Sequence, residues 1–408
     1  MGGRQMIALS TLVQRFEADF LTQYSASPSQ LQALAAFKRC RTHLGPSMLA
    51  QCSGCAAQRV VPHSCGHRHC PHCQHFESQR WIERQTQRLV PGPYFLITFT
   101  LPAELRDLAR HNQRLVYAQL MECAWHTLHE FALNHRQLQG SPGAVAVLHT
   151  HSRALGLHPH VHLVMPAAAL DVQKRLWRTL RADNGYLFNH KALAKVFKAK
   201  LLAALTASGL AVPGALPQRW VVHCKHMAHG AAALVYLGRY LYRGVIQERD
   251  ILRCEGQQVT YQWRDSRTGK KQTRTVSGAT FLWLVLQHVL PKGFRRARNF
   301  GFLHPNSKRL IALLQLLVFK PAAKPADPAL GSLRPIRPLM RCVICGAPMR
   351  IVRRRIAPGD AFAGASADAS AGAPSDAPSD APPRPASTAK SSISTPTARA
   401  RPRAAAQA

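Results

Sequence analysis

Acidic residues are scarce in this chain. Asp and Glu number 19 in 408 residues, against 54 Lys and Arg, which gives a formal net charge of +35 and a pI near 11. The few carboxylates form no suggestive cluster, so an enzyme that holds two metals with a carboxylate triad is a poor fit. The excess of positive charge points instead to a polyanionic partner, with nucleic acid as the first choice. A run of 18 apolar residues is also missing, so no membrane span is expected. Past Met1 to Met6 the pattern is mixed and amphipathic, unlike a signal peptide, and the expected location is the cytoplasm, on the nucleoid when bound to DNA. The chain has no Walker-type Gly-rich loop, which argues against an NTP-hydrolysing step. Cysteines are not spread as a disulfide framework but concentrate between 40 and 73 and again at 342 and 345, as metal ligands in a reducing compartment do.

What the chain does have is patterned histidine. In Leu157-His158-Pro159-His160-Val161-His162-Leu163-Val164-Met165 the period-two alternation reads as a strand. Side chains two apart share a face, so His160 and His162 stand side by side and can share one metal ion. His158 falls on the same face, with Pro159 between them. Surface histidines satisfied by hydrogen bonds are the plain alternative, but three in five residues of an apolar strand favour ligation. Residues 230–245 read as a helix that carries Tyr236 and Tyr240. Four-residue spacing puts both phenols on one face, with Cβ atoms about 6 Å apart. Such tyrosines are ordinarily core or groove residues; beside a His-Val-His strand they become candidate nucleophiles. Tyr242 should point roughly to the opposite side.

A second constellation lies at 40–75. Cys52-x-x-Cys55 and Cys70-x-x-Cys73 are spaced as in four-cysteine zinc sites, and the expectation is one structural zinc on those two pairs. Zinc would there supply folding free energy to a loop-rich segment. Cys40, Cys65 and several histidines leave room for a second ion. Arg68, with Arg59, Arg80, Arg84 and Arg88 around it, turns this module toward DNA. Cys342-x-x-Cys345-Gly346 has the form of half a zinc knuckle with no second pair nearby in sequence.

Around these motifs, 7–37 read as two helices broken near 25–29, with Phe16, Phe20 and Leu21 on one apolar face. Strands are predicted at 95–100, 144–149, 158–165 and 220–224, the middle two as a hairpin, and a β-ribbon at 259–263 and 272–276. Helices are predicted over 103–135, 171–182, 191–208, 278–290 and 304–319. From 356 onward the Ala, Pro, Ser and Arg repeats cannot bury enough apolar area to offset chain entropy and should be disordered.

Together these features resemble the two-tyrosine HUH transposases of rolling-circle insertion sequences, which combine a His-hydrophobic-His strand with a Tyr-x-x-x-Tyr helix. The resemblance runs from about Phe37 to about Leu317. It includes Cys40-Arg41-Thr42, the run from Ser64 to Cys73, Phe99-Thr100-Leu101-Pro102, Tyr236-Leu237-Gly238-Arg239-Tyr240 and Leu290-Pro291-Lys292-Gly293-Phe294. It implies an α+β architecture: an HUH nuclease-like antiparallel sheet flanked by helices, preceded by a small zinc-binding domain and followed by a disordered tail. The expected division is a helical arm at 1–39, a zinc-binding domain at 40–90, the catalytic domain at 91–320 and a basic tail at 321–408. The implied activity is nicking and joining of single-stranded element ends through 5′-phosphotyrosine bonds on Tyr236 and Tyr240. A divalent metal, Mg2+ or Mn2+ by family habit, would sit on His160 and His162. Cys65 and His69 belong to the family's zinc motif, and Arg239 and Arg243 are placed to neutralise phosphate. One departure stands out: where many members would carry a glutamine as third metal ligand, this chain has Arg153, which cannot bind a cation. His149 and His158 are the replacements, equally ranked.

A rolling-circle replication initiator or relaxase shares this chemistry but has no need of the zinc module. A non-catalytic zinc-dependent DNA-binding protein would not nick a labelled single strand. A zinc hydrolase of small substrates fits poorly with the net charge. The sequence carries no signal of oligomeric state.

Overall fold

The computed structural model describes residues 6–318 and 340–358, apart from 172, 175, 181–186, 228–229, 243 and 266–267; the side chains of 239, 240, 242, 317 and 318 also fall outside the description. The low-complexity stretch from 359 onward lies outside the described residues. Two helices open the chain, α1 (Leu9–Gln23) and α2 (Pro28–Arg39). Ser27 caps α2 in a reciprocal capping box with Gln30, the pattern that starts a helix just before Pro28. Phe16 and Phe20 are buried as expected, but Leu21 is exposed, because the buried stripe of α1 runs through Leu9, Leu12, Val13, Phe16 and Phe20.

The zinc-module strands β1 (Ser47–Cys52) and β2 (Gln58–Pro62) form an antiparallel pair, and α3 (His75–Thr86) follows. Next come β3 (Tyr94–Thr100), the short α4 (Arg106–His111) and the long α5 (Gln113–Asn134). Strands β4 (Ser141–His151) and β5 (Leu157–Pro166) make the expected hairpin. The helix expected over 171–182 is instead a small antiparallel pair, β6 (Ala168–Asp171) and β7 (Leu176–Thr179). The Asp171 carboxylate accepts from Lys174 N at 3.0 Å and Arg178 Nη2 at 3.4 Å, closing a turn. Helix α6 (His190–Ala207), capped by Asn189, leads to β8 (Val222–Met227) and the tyrosine helix α7 (Gly230–Tyr242).

These strands build one antiparallel sheet in the order β7-β6-β4-β5-β3-β8. Alternation divides its two faces. Phe95, Ile97 and Phe99 of β3, Ala144, Ala146 and Leu148 of β4, and Val161, Leu163 and Met165 of β5 share a core with α5 and α6. The opposite face, with Leu96, Val145, Val147 and Val164, packs on Ala233, Leu234, Leu237 and Leu241 of α7 and on α3. A one-residue slip of β5 would bury its histidines among the α5 side chains, so this two-sided burial fixes the register.

The ribbon is three-stranded: β9 (Ile251–Glu255), β10 (Gln258–Arg264) and β11 (Lys271–Ser277), then α8 (Gly278–Leu286). Helices α1 and α2 share a hydrophobic cluster with α8 and this ribbon, so residues 9–39 pack as part of a larger core rather than as a separate arm. Strand β12 (Ala297–Gly301) pairs with β4, α9 (Lys308–Val318) follows, and β13 (Met349–Ile356) returns to pair with β1. The segment 340–358 is therefore ordered structure, not part of a disordered tail: it makes a strand on the zinc module. Among the described residues no helix is long and apolar enough to cross a membrane.

The tyrosine helix is held at close range. A Cβ added at Gly238 would overlap Ile82 Cγ1 and approach Trp81 at 3.2 Å, and Ser78 Oγ donates to Gly238 O at 2.8 Å. Gly238→Ala is expected to lower the stability of the protein by about 1–3 kcal/mol, the usual cost of overpacking. Chemical denaturation checks this, and an unchanged midpoint would show that α3 and α7 can part freely.

Candidate active site and metal centres

Beside α7, the sheet face that carries Val145 and Val147 also carries a group of imidazoles. His149 lies directly across the β4–β5 ladder from His160, and His162 follows two positions along β5. Ring centroids are 5.2 Å apart for His149–His160, 4.6 Å for His149–His162 and 4.9 Å for His160–His162, and one ring nitrogen of each lies within 4.8 Å of the others. His149 and His162 are buried. Burial pushes the His160 imidazole down to about 4 and His162 to about 3, and holds His149 well below the ordinary value, so all three are neutral at neutral pH and offer lone pairs. His160 Nδ1 donates to His158 O at 2.7 Å, and His162 Nδ1 pairs with Thr98 Oγ1 at 2.7 Å. Each of those bonds engages Nδ1 and so leaves Nε2 as the ligand nitrogen, as the outer partners of metal-binding histidines do. The donor set fits a divalent cation that accepts nitrogen ligands.

His158 stands apart from this set. Its Nδ1 lies 3.1 Å from Arg106 Nη2, and that guanidinium repels a second cation. Between the two third-ligand choices the hairpin register therefore favours His149. His149→Ala is expected to raise the metal concentration needed for activity by about 10-fold or more, as loss of a ligand's support does, and His158→Ala to leave it near wild type. Metal titrations of the two variants check this, and the reverse ranking would contradict it.

Tyr236 projects beside the imidazoles, its ring centroid 6.3 Å from that of His162, and the residue is 41% exposed. It lines a cleft of about 1100 Å³ with His149, His160 and His162 on one wall and Trp263, Arg264 and Lys271 of the ribbon on another. Position 240 lies one turn further along α7, but the side chains of Tyr240, Arg239 and Tyr242, and all of residue 243 (Arg243), lie outside the described residues. Arg153 is exposed and donates to Arg264 O at 3.1 Å. Sequence reasoning missed two positioning residues. Thr98 orients His162, a role visible only in the β3–β5 register. Arg296 donates to Leu148 O and to Leu241 O, both at 2.9 Å, so it ties the end of the tyrosine helix to the strand that carries His149.

Eight of the eleven thiols fall into two sets of four, not the single set expected from Cys52, Cys55, Cys70 and Cys73. Cys70 and Cys73 join Cys40 and Cys65, with Sγ–Sγ separations of 3.3, 3.4 and 3.6 Å for Cys40–Cys73, Cys40–Cys70 and Cys65–Cys73. These are close to the edge of about 3.8 Å that four sulfurs make around a tetrahedral zinc. Cys52 and Cys55 face Cys342 and Cys345 instead. The physical reason is β1, whose pairing with β13 carries Cys52 away from the 64–73 loop. His69 is not among the ligands: its Nε2 accepts from Leu290 N at 3.2 Å and from Arg68 Nε at 3.1 Å. Arg68 also donates to Phe294 O at 2.9 Å, so it anchors the zinc loop to the Leu290–Phe294 turn as well as standing exposed.

Comparison with known proteins gives the family. A family described as "Putative transposase" (Y2_Tnp) matches residues 143–310, and one described as "Transposase zinc-binding domain" (Zn_Tnp_IS91) matches residues 12–101. "Putative transposase y4qJ" of Sinorhizobium fredii is 31% identical over 319 residues, 72% of this chain and 80% of that protein. "Transposase for insertion sequence element IS801" of Pseudomonas savastanoi pv. phaseolicola is 31% identical over 324 residues, 72% of this chain and 76% of that protein. Among solved structures, "Conjugative Relaxase TrwC in complex with mutant OriT Dna" aligns over 54% of this chain and 70% of that one, at 13% identity and a TM-score of 0.24, too slight a likeness to carry weight. With a zinc-binding domain ahead of the transposase domain and relatives alike over most of their length, the chain belongs to the IS91-type family of rolling-circle transposases.

Proposed function

We propose that this transposase nicks and joins single-stranded element ends by tyrosine chemistry, with Tyr236 and Tyr240 as nucleophiles and His149, His160 and His162 as ligands of a divalent cation, Mg2+ or Mn2+. The observation that supports this best is the adjacency of Tyr236 to three neutral imidazoles in one cleft. When bound there, the cation would withdraw charge from the scissile phosphate. Tyr236 Oη replaces the 3′ oxygen on phosphorus, and the phenol proton balances the departing oxyanion. The products are a 5′-phosphotyrosine and a free 3′-hydroxyl. The bond keeps the phosphodiester energy, so joining to a new strand requires no nucleotide hydrolysis. Arg239 and Arg243 are proposed to neutralise phosphate, and Arg68 to contact DNA from the zinc module. The thiol set Cys40, Cys65, Cys70 and Cys73 is proposed to hold structural zinc; with four protein ligands it has no open position for catalysis.

The test is incubation of the protein with labelled single-stranded element ends and Mn2+, read on a denaturing gel. A covalent protein–DNA band that requires the metal supports the reading. Nicking with no such band would move the function to hydrolysis by activated water.

A further inference from the structure

Half of the second thiol set lies outside what either family match covers: Cys342 and Cys345 follow residue 310, while Cys52 and Cys55 fall within the zinc-binding match. Its two halves are built alike. In the first, Cys52-Ser53-Gly54-Cys55 is followed by Ala56 in the left-handed region at φ 56°, Gly54 N donates to Cys52 Sγ at 3.3 Å, and Cys52 N donates to Ala57 O at 2.8 Å. In the second, Cys342-Val343-Ile344-Cys345 is followed by Gly346 at φ 73°, Ile344 N donates to Cys342 Sγ at 3.4 Å, and Cys342 N donates to Ala347 O at 2.9 Å. Two knuckles of one design thus come from opposite ends of the described chain. Their sulfurs meet at 3.4 Å for Cys52–Cys345 and 3.6 Å for Cys55–Cys342. Gly54 is needed at the junction: a Cβ there would lie 2.9 Å from Ala347 Cβ and 3.4 Å from Cys345 Sγ. Backbone N–H groups aimed at sulfur stabilise thiolate, the form that binds zinc.

We infer that Cys52, Cys55, Cys342 and Cys345 form a second zinc site, a zinc ribbon closed between the two ends of the described chain, which seats β13 as a nucleic-acid contact. The three-stranded sheet β13-β1-β2 is the body of that ribbon. Neither 40–75 nor 340–358 contains an Asp or a Glu. Arg341, Arg350, Arg353, Arg354 and Arg355 are all exposed on the returning segment. Five exposed arginines with no acidic neighbour in their own ribbon suit a phosphodiester backbone better than a protein surface. The docking role rests on the chain being a DNA transposase and not on the tyrosine chemistry.

The test uses the full chain purified with zinc and then exchanged into excess Mn2+, so that the imidazole site holds Mn2+ and only thiol-bound zinc is counted. Elemental analysis should find two zinc ions per wild-type chain and one in Cys342→Ser/Cys345→Ser. Chelation of the wild type should raise hydrogen exchange in 47–62 and 340–358 together. One zinc in the wild type, or two retained in the double variant, would overturn the site. Arg353→Ala/Arg354→Ala/Arg355→Ala keeps every thiol and should keep both ions. On a fluorescein-labelled DNA duplex it should lower the slope of log K against log salt by about 2 to 3, at about 0.9 for each phosphate no longer neutralised. An unchanged slope would overturn the docking role.

Discussion

Replacing Tyr236 and Tyr240 together by phenylalanine is expected to abolish covalent capture of DNA, while either single change blocks complete transposition and at least one single variant still nicks and forms an adduct. Phenylalanine keeps the ring volume, so α7 retains its packing on Leu96, Val145 and Val164 and the loss reports the hydroxyl rather than a cavity. Two nucleophiles permit successive cleavages in which each holds a different 5′ end; one nucleophile would have to release the first before taking the second. Four-residue spacing lets both serve one cation without turning the helix. Tyr242→Phe is expected to behave nearly as wild type, because two positions past Tyr240 is a rotation of about 200° around the helix. Denaturing gels of each variant on labelled single strands check all four outcomes. An adduct that survives the double change would remove both tyrosines from the chemistry.

The second large effect is expected at the imidazoles. His160→Ala and His162→Ala should each lower metal-dependent cleavage by more than about 100-fold, since even the outer partners of metal ligands cost about 10–100-fold when removed. DNA affinity should stay close to wild type, because it rests on many basic contacts spread over a chain of net charge +35. The split between the two readouts is what distinguishes a ligand from a fold-supporting residue. Both ring positions face the α7 side of the sheet and neither contributes to the α5–α6 core, so alanine leaves that core intact. Cleavage assays beside binding isotherms test it; full cleavage in either variant would take the metal away from this strand.

Much of this site was legible because period-two and period-four spacing are local. The His160–His162 pair, the hairpin that carries it and the helix with Tyr236 all follow from residues a few positions apart. What depends on long-range register was not legible. His149 and His158 look equivalent in sequence, and only the pairing of His149 with His160, ahead of a ladder irregularity before His151, together with Arg106 against His158, separates them. Cys52-x-x-Cys55 and Cys70-x-x-Cys73 imitate a complete local zinc site. Their partners are Cys342 and Cys345, 293 residues away for Cys52–Cys345, and Cys40 with Cys65, which do not form a CxxC pair. The segment 171–182 reads as a helix in sequence because its leucines and Trp177 fit either period over so short a run. The turn that Asp171 closes with Lys174 and Arg178 makes a strand pair of it.

The most direct measurement of the central claim is the site of covalent attachment. Protein trapped on a labelled single-stranded end in Mn2+ is digested with nuclease and protease, and the nucleotide-bearing peptide is sequenced by mass spectrometry. The account predicts a nucleotide 5′-linked through phosphate to Tyr236 or Tyr240, absent when the metal is chelated. Attachment to Tyr242 or any other residue, or efficient metal-dependent cleavage with no attached nucleotide, would contradict it.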